Sequence, residues 1–310
     1  MRSDILRLAI AAQDAEIPCA TLFVRGARLT RGHLATTWTE ALAVIDRPVR
    51  ERLELVALLE GEVPLLLPDN DHTRALARNA GAVAVRVASR IDRSSEVLKI
   101  LLHRWLLNLG PIAVHELQAQ TGLTYPTVAK YLAALEDVVV RGSNRSVSLK
   151  AFPRQAWSEL LALAPRIRQT AMFTDSSGRP PDLEYLATRV GRLHPEGVAM
   201  AGVLGARHSF PDFDLTGLPR IDLSVHAPHG PMNLSFMARV DPALAPTTRS
   251  HEAHLVVHAV SRASFLAACD PGPGATGMPW ADAVEILLDL HELRLVPQAD
   301  ALIRHLRGTS

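Results

Sequence analysis

"IAVHELQAQTGLTYPTVAKYLAALE", Ile112 to Glu136, reads as two short helices around a tight turn. Val114, Leu117 and Leu123 supply an apolar stripe. Gly122 suits the left-handed residue that ends a helix, and Thr124 suits the N-cap of the next one. Pro126 falls in the first turn of the second helix, where its missing N–H costs little. Val128, Leu132 and Leu135 recur on one face of that helix and are expected to be buried, which leaves Tyr125, Thr127, Lys130 and Ala134 facing out. Beyond it, "VVVRGSNRSVSLKAF" reads as two short strands around Gly142, Ser143 and Asn144, a wing.

Small and hydrogen-bonding side chains near a helix N-terminus are what a recognition helix presents to base edges and phosphates. The pattern therefore nominates Thr124, Tyr125, Thr127 and Lys130 for the major groove of double-stranded DNA. Arg141, Asn144, Arg145 and Lys150 are nominated for the backbone, as the wing's share. From Ser95 to Phe152 there are six bases and four acids, a local net charge of +2. A winged helix used for protein contacts or dimerisation is the competing reading of the same residues.

Working outward, 310 residues are too many for one ordinary domain, so two or three units are expected. Hydrophobic residues at 48% and charged residues at 21% are globular proportions. The formal charge of +1 creates no global field toward polyanions, so a nucleic-acid site has to be local. Cys19 and Cys269 belong to no C-x-x-C pair, which fits a reducing cytosol. Acidic and polar residues interrupt any signal-like run near the N-terminus, and no apolar run approaches the ~20 residues that span a bilayer. A cytoplasmic protein with no membrane partner is expected.

Three parts are expected: an N-terminal α/β domain over 1–93, a winged helix-turn-helix over 94–153, and a C-terminal α/β domain over 154–310. In the first, "VPLLLP" reads as a buried strand, "HTRALARNAG" as a helix and "AVAVRVA" as a second strand. The polar "SRIDRSSEV" marks the boundary, with Ser94 or Ser95 capping a helix over "EVLKILLHRWLLNLG" that is apolar nearly all round and must be buried on several sides. In the third part, "AWSELLALAPRIRQTAM" and "LEYLATRVGRLH" read as helices. "GVAMAGVLGA", "RIDLSVHA", "MNLSFMARV" and "HLVVHAV" read as strand-like, and two amphipathic helices follow from Trp280.

A second constellation lies in "AGVLGARHSFPDFDLTGLPRIDLSVHAP", Ala201 to Pro228. Strand, small-residue turn, helix and then D-L-x-V resemble the core of the polymerase-β-type nucleotidyltransferases. Those enzymes need a glycine-rich turn for the triphosphate and a pair of strand carboxylates for two metal ions. Gly202 and Gly205 fit the turn and Asp222 fits one carboxylate. The second is missing in either register, because Ser224 stands two residues after Asp222 and Arg220 two before. An arginine there repels the cation, so this is expected to be a degenerate nucleotide site. No catalytic residue, metal or cofactor is assigned, and the chain is not expected to be an enzyme. Gly202 and Gly205 making a tight turn, with Asp222 paired to a neighbouring arginine, is the stronger reading; Asp212 and Asp214 substituting from the loop is the weaker one.

His251, His254 and His258, with His226 and His229 near in sequence, lack the His-Glu-x-x-His pattern and a cysteine partner, so they read as incidental residues on strand faces. "PGPGATG" has glycines but no Gly-Lys-Ser/Thr and reads as a connector.

Taken together, a winged helix, this degenerate domain, and the "GARHSF", "RIDLSV" and "DLHELR" stretches resemble the AbiEi-like antitoxins of bacterial type IV toxin–antitoxin systems. The likeness runs from about Val63 onward. It implies a transcriptional repressor that binds its own promoter and opposes a separately encoded nucleotidyltransferase toxin. A two-fold homodimer on palindromic half-sites is the common arrangement for such an architecture. A nucleotide-binding enzyme and a protein-interaction scaffold are the alternatives.

Overall fold

The computed structural model describes residues 2–13, 19–25, 30–59, 63–82, 95–177, 182–228, 232–268 and 278–308. The fold is mixed α/β, with 13 α-helices and three β-sheets among those residues. The chain forms two compact units, residues 1–84 and 85–310. No described helix is long and apolar enough to cross a membrane.

The first unit runs α1 (Arg2–Ala11), β1 (Ala20–Arg25), α2 (Arg31–Leu42), α3 (Arg47–Arg50), β2 (Leu53–Leu58), β3 (Leu65–Leu67) and α4 (Asp71–Ala82). β2 is the middle strand, parallel to β1 and antiparallel to β3. Its run "LELVAL" is buried at five of six positions, as expected of a strand covered on both faces. Ile5, Leu34, Trp38, Leu55 and Leu65 fill the core beneath it. "VPLLLP" is thus a three-residue edge strand with one buried side chain, because β2 takes the central place. The expected strand "AVAVRVA" lies outside the described residues apart from Ala82, which ends α4; so do most of the boundary stretch, Ser94, His229, Cys269 and nearly all of the "DPGPGATGMP" connector.

The second unit opens with α5 (Ser95–Leu106), β4 (Ile112–Ala113), α6 (Val114–Thr121), α7 (Tyr125–Ala134), β5 (Val139–Arg141) and β6 (Ser146–Leu149). The small sheet has order β4-β6-β5. Helix, strand, two helices and a hairpin are the expected helix-turn-helix with its wing. α8 (Arg154–Ile167), β7 (Thr170–Asp175), α9 (Leu183–Leu193), β8 (Val198–Met200), α10 (Gly202–Ser209), β9 (Ile221–His226), α11 (Met237–Val240), β10 (Leu244–Thr247), β11 (Leu255–Val260), α12 (Ala283–Glu292) and α13 (Val296–Leu306) follow. Their sheet has order β10-β7-β11-β9-β8, with β9 and β11 parallel and the other neighbours antiparallel.

Two expectations change here. "QTAM" leaves the helix predicted for it, and its Thr170 to Met172 begin β7, since the extended Arg168 closes α8 after Ile167. "MNLSFMARV" is no strand; it contains the short helix α11, whose Met237 and Val240 are buried.

The boundary expected at residue 153 does not divide this unit. Leu101, Leu106, Leu117 and Leu132 of the winged helix share one core with Trp157 of α8, Val203 of α10 and Leu287 of α12. α5 is buried at Glu96 to Leu102 and at Leu106, so the apolar helix is the scaffold on which both halves pack.

Candidate nucleic-acid interface and the buried charge network

The helix-turn-helix is built as its residues require. Gly122 ends α6 in the left-handed region at φ 72°, and Pro126 sits in the first turn of α7. Thr124 stands at the N-cap with extended backbone, but its hydroxyl meets the Thr127 hydroxyl at 3.0 Å instead of a backbone N–H. Val128 and Leu132 are buried, so Tyr125, at 60% exposure, and Lys130 are turned outward, with Thr127 half-buried between them. In the wing, Arg141, Asn144, Arg145 and Lys150 are all exposed. Among the described residues, none of Lys130, Arg141, Arg145 and Lys150 has an acidic partner within ion-pair distance.

The turn between α6 and α7 is fixed from behind. The Ser264 N–H and hydroxyl both donate to the Gln120 carbonyl, at 2.9 and 3.0 Å. At the wing's base, Arg104, Trp105, Lys150 and Arg307 line a cavity of about 250 Å3. Arg307 lies over the Trp105 ring at 4.1 Å, and Arg104 donates to the carbonyls of Leu109, Gly110 and Pro111.

Four buried basic residues, Lys99, Arg168, Arg220 and Arg262, have the opposite fate. α12 lays Glu285, Asp289 and Glu292 along one face, and these meet cations from four directions. Glu285 accepts from Lys99 at 2.9 Å and from Arg168 at 3.1 Å, and faces Arg262 at 3.5 Å. Asp289 accepts from Arg168 at 2.7 Å, and Glu292 from Arg220 at 3.2 Å. Arg262 also binds Glu96 at 3.0 Å and the Asp282 carboxylate. Lys99 and Glu96 belong to α5 of the winged helix, so the network ties that helix to the sheet through ionic bonds that are buried almost completely.

Asp222, the lone strand carboxylate, belongs to this network. Its Oδ1 accepts from Arg220 at 2.7 Å, the arginine pairing expected from sequence. Burial drives its pKa well above the usual carboxylate value, with Asp289 and Glu292 adding to the rise and Arg220 opposing it. Ser224 is buried beside it on β9. The two glycines serve packing: a Cβ on Gly202, whose φ is +54°, would come within 2.2 Å of Asp222 Oδ2, and one on Gly205 within 2.7 Å of Ile286. α12 packs beside β9, with a carboxylate oxygen of Asp289 within 4.8 Å of one of Asp222.

Three of the histidines, His226, His254 and His258, have structural partners, whereas His251 is exposed. His258 is buried, its Nδ1 3.0 Å from the Thr170 hydroxyl and its Nε2 3.3 Å from Glu292. His254 Nδ1 accepts from the Asp175 N–H at 3.0 Å, and His226 stacks on Phe265. A polar strand face was the wrong expectation, because β11 is central in the sheet and buried throughout.

No protein-family model and no curated protein matches this chain. Among solved structures, the crystal structure of the Megavirus polyadenylate synthase is similar at 9% identity and a TM-score of 0.26, over 74% of this chain and 46% of that one. An overlap that shallow does not define a shared fold, and this chain spans less than half of that protein.

Proposed function

We propose that this protein is a DNA-binding transcriptional regulator that reads the major groove with α7 and grips phosphate with its wing. One contrast supports this reading. Arg168, Arg220, Arg262 and Lys99 are all neutralised by carboxylates, whereas Lys130, Arg141, Arg145 and Lys150 are exposed without one on the element set that enters a groove. Uncompensated cations gain most from releasing the counterions condensed on DNA. The rigid seat of α5 gives the reading head a fixed direction.

The AbiEi-like antitoxin role remains part of this proposal. Two of its motif stretches, "RIDLSV" at β9 and "DLHELR" at α12, contribute Arg220, Asp222, Asp289 and Glu292 to the charge network, while in "GARHSF" Arg207 donates to the Leu215 and Gly217 carbonyls and His208 stacks on Trp280. A neighbouring nucleotidyltransferase toxin would be the functional partner, and a homodimer on palindromic half-sites the binding form. The enzyme reading needs nucleotide and divalent metal at Gly205 and Asp222, where Ile286 and Arg220 now stand. Calorimetric titration with each nucleoside triphosphate and magnesium would return that reading to the front if heat of binding appeared.

The test is fluorescence anisotropy on the DNA upstream of the gene against a scrambled duplex. Preferential binding to the upstream DNA is expected. Equal binding to both, lost together at physiological salt, would overturn the proposal.

A further inference from the structure

The first unit carries a cluster that the DNA reading does not use. Cys19 stands one residue before β1, Glu54 is the second residue of β2, and His72 lies in the first turn of α4. Parallel pairing of β1 with β2 sets Thr21 opposite Glu54 and brings Cys19 to the same end of the sheet. One ligand atom from each of Cys19, Glu54 and His72 lies within 4.8 Å of the others.

Glu54 is 7% exposed, yet among the described residues no lysine or arginine pairs with it. A buried carboxylate ordinarily requires a cation or a full set of donors. Here the donors are Thr21 Oγ1 at 3.1 Å, Asn70 Nδ2 at 3.0 Å and His72 Nδ1 at 2.7 Å, and the Cys19 sulfur lies within 4.8 Å of the same carboxylate. The thiol and the imidazole are themselves metal ligands, gathered on one carboxylate. Burial and the adjacent carboxylate hold the thiol above its ordinary pKa, so it is a poor nucleophile by itself.

We infer that Cys19, Glu54 and His72 form a binding site for one zinc ion. A divalent cation replaces the hydrogens between the three ligand atoms and supplies the charge that Glu54 lacks. A coordinated thiol is deprotonated outright, so the thiol proton leaves to solvent as the ion enters; Nδ1 of His72 also gives up its proton, leaving a neutral imidazole that keeps its hydrogen on Nε2 and ligates through Nδ1. Mixed sulfur, nitrogen and oxygen ligation selects zinc over magnesium or calcium, which take oxygen. Bond lengths of about 2.0–2.3 Å need the three atoms to close in slightly. Thr21 and Asn70 keep the Glu54 carboxylate oriented, as outer-shell partners do. The His72 side chain is 55% exposed, so the fourth position faces solvent.

The other histidine–carboxylate group, Asp222, His258 and Asp289, is a poorer host. Arg220 and Arg168 already bind its carboxylates, and their guanidinium charges repel a cation.

The test uses the full-length protein, stripped with a chelator and titrated with Co2+, then Zn2+. The expected result is one cobalt per chain with a sulfur-to-cobalt charge-transfer band in the near ultraviolet, displaced by one zinc. Cys19→Ser should remove the band and Cys269→Ser should keep it. His72→Ala, at a half-exposed position, should weaken zinc affinity by more than about 100-fold with an unchanged circular dichroism spectrum, a loss beyond that for outer-shell partners. If Cys19→Ser did not fold, His72→Ala would decide alone. No charge-transfer band at stoichiometric cobalt, a band that follows Cys269, or unchanged zinc affinity in His72→Ala would each overturn the inference.

Discussion

Replacing Glu285 with Gln tests whether the buried network fastens the winged helix to the sheet. The side chain is fully buried and faces Lys99 at 2.9 Å, Arg168 at 3.1 Å and Arg262 at 3.5 Å. Gln keeps the shape and one acceptor but removes the charge that three cations share. Breaking a buried pair from one side costs about 3–5 kcal/mol. Each cation keeps another carboxylate, Glu96 for Lys99, Asp289 for Arg168 and Asp282 for Arg262, which favours the low end. With a urea m-value of about 3 kcal/mol/M for a unit of this size, a loss of about 3 kcal/mol lowers the unfolding midpoint by about 1 M. Buried Trp157, edge-on to His291, reports the transition, in a Trp38→Phe background that silences the first unit. A midpoint within about 0.2 M of the parent would mean that apolar packing, and not this network, holds the two halves together.

Acid should attack the same network. Burial raises the Glu285 and Glu292 pKa values, but Lys99, Arg168 and Arg262 around the first, and His258, Arg220 and Arg168 around the second, outweigh it and leave both well below 4.5. The folded state then binds fewer protons than the unfolded chain, so this stabilisation is complete above pH 4.5 and is lost as pH falls. Asp222 has the opposite sign: its contribution is full below pH 3.8 and disappears as pH rises toward its elevated folded value. The urea midpoint should therefore drop between about pH 5 and pH 3, and drop less in Glu292→Gln; equal drops would contradict the assignment. Gly202→Ala should cost about 1 kcal/mol or more from its left-handed backbone and about 1–3 kcal/mol from crowding Asp222. Thermal unfolding of that variant at the wild-type temperature would show the glycine to be replaceable.

The helix-turn-helix was legible because its signals are local. Gly122, Thr124, Pro126 and the Val128–Leu132 face act within a few residues of chain, and each element forms where they direct. The Asp222–Arg220 pair was legible for the same reason, being two residues apart on one strand. Long-range pairing hid the rest. Lys99 meets Glu285 across 186 residues, and Arg262 meets Glu96 across 166. One trace of the network is visible: Asp282, Glu285, Asp289 and Glu292 recur at helical spacing inside an otherwise apolar segment, an acidic stripe that a buried helix carries only when cations face it. The cysteine cluster left no such trace, since its three ligands come from separate elements that meet only through the β1–β2 register and the packing of α4 against β2.

The reading head itself is tested most directly by salt-dependent binding of wild-type protein and the Lys130→Ala/Arg145→Ala variant to the upstream duplex. Both side chains are exposed, so the fold should be unaffected. If each touches one phosphate, the slope of log affinity against log salt should flatten by about 0.9 per lost contact, roughly two units in all, with weaker binding at low salt. A double variant that binds as tightly as wild type, with the same slope at every salt concentration, would mean that α7 and the wing do not meet DNA.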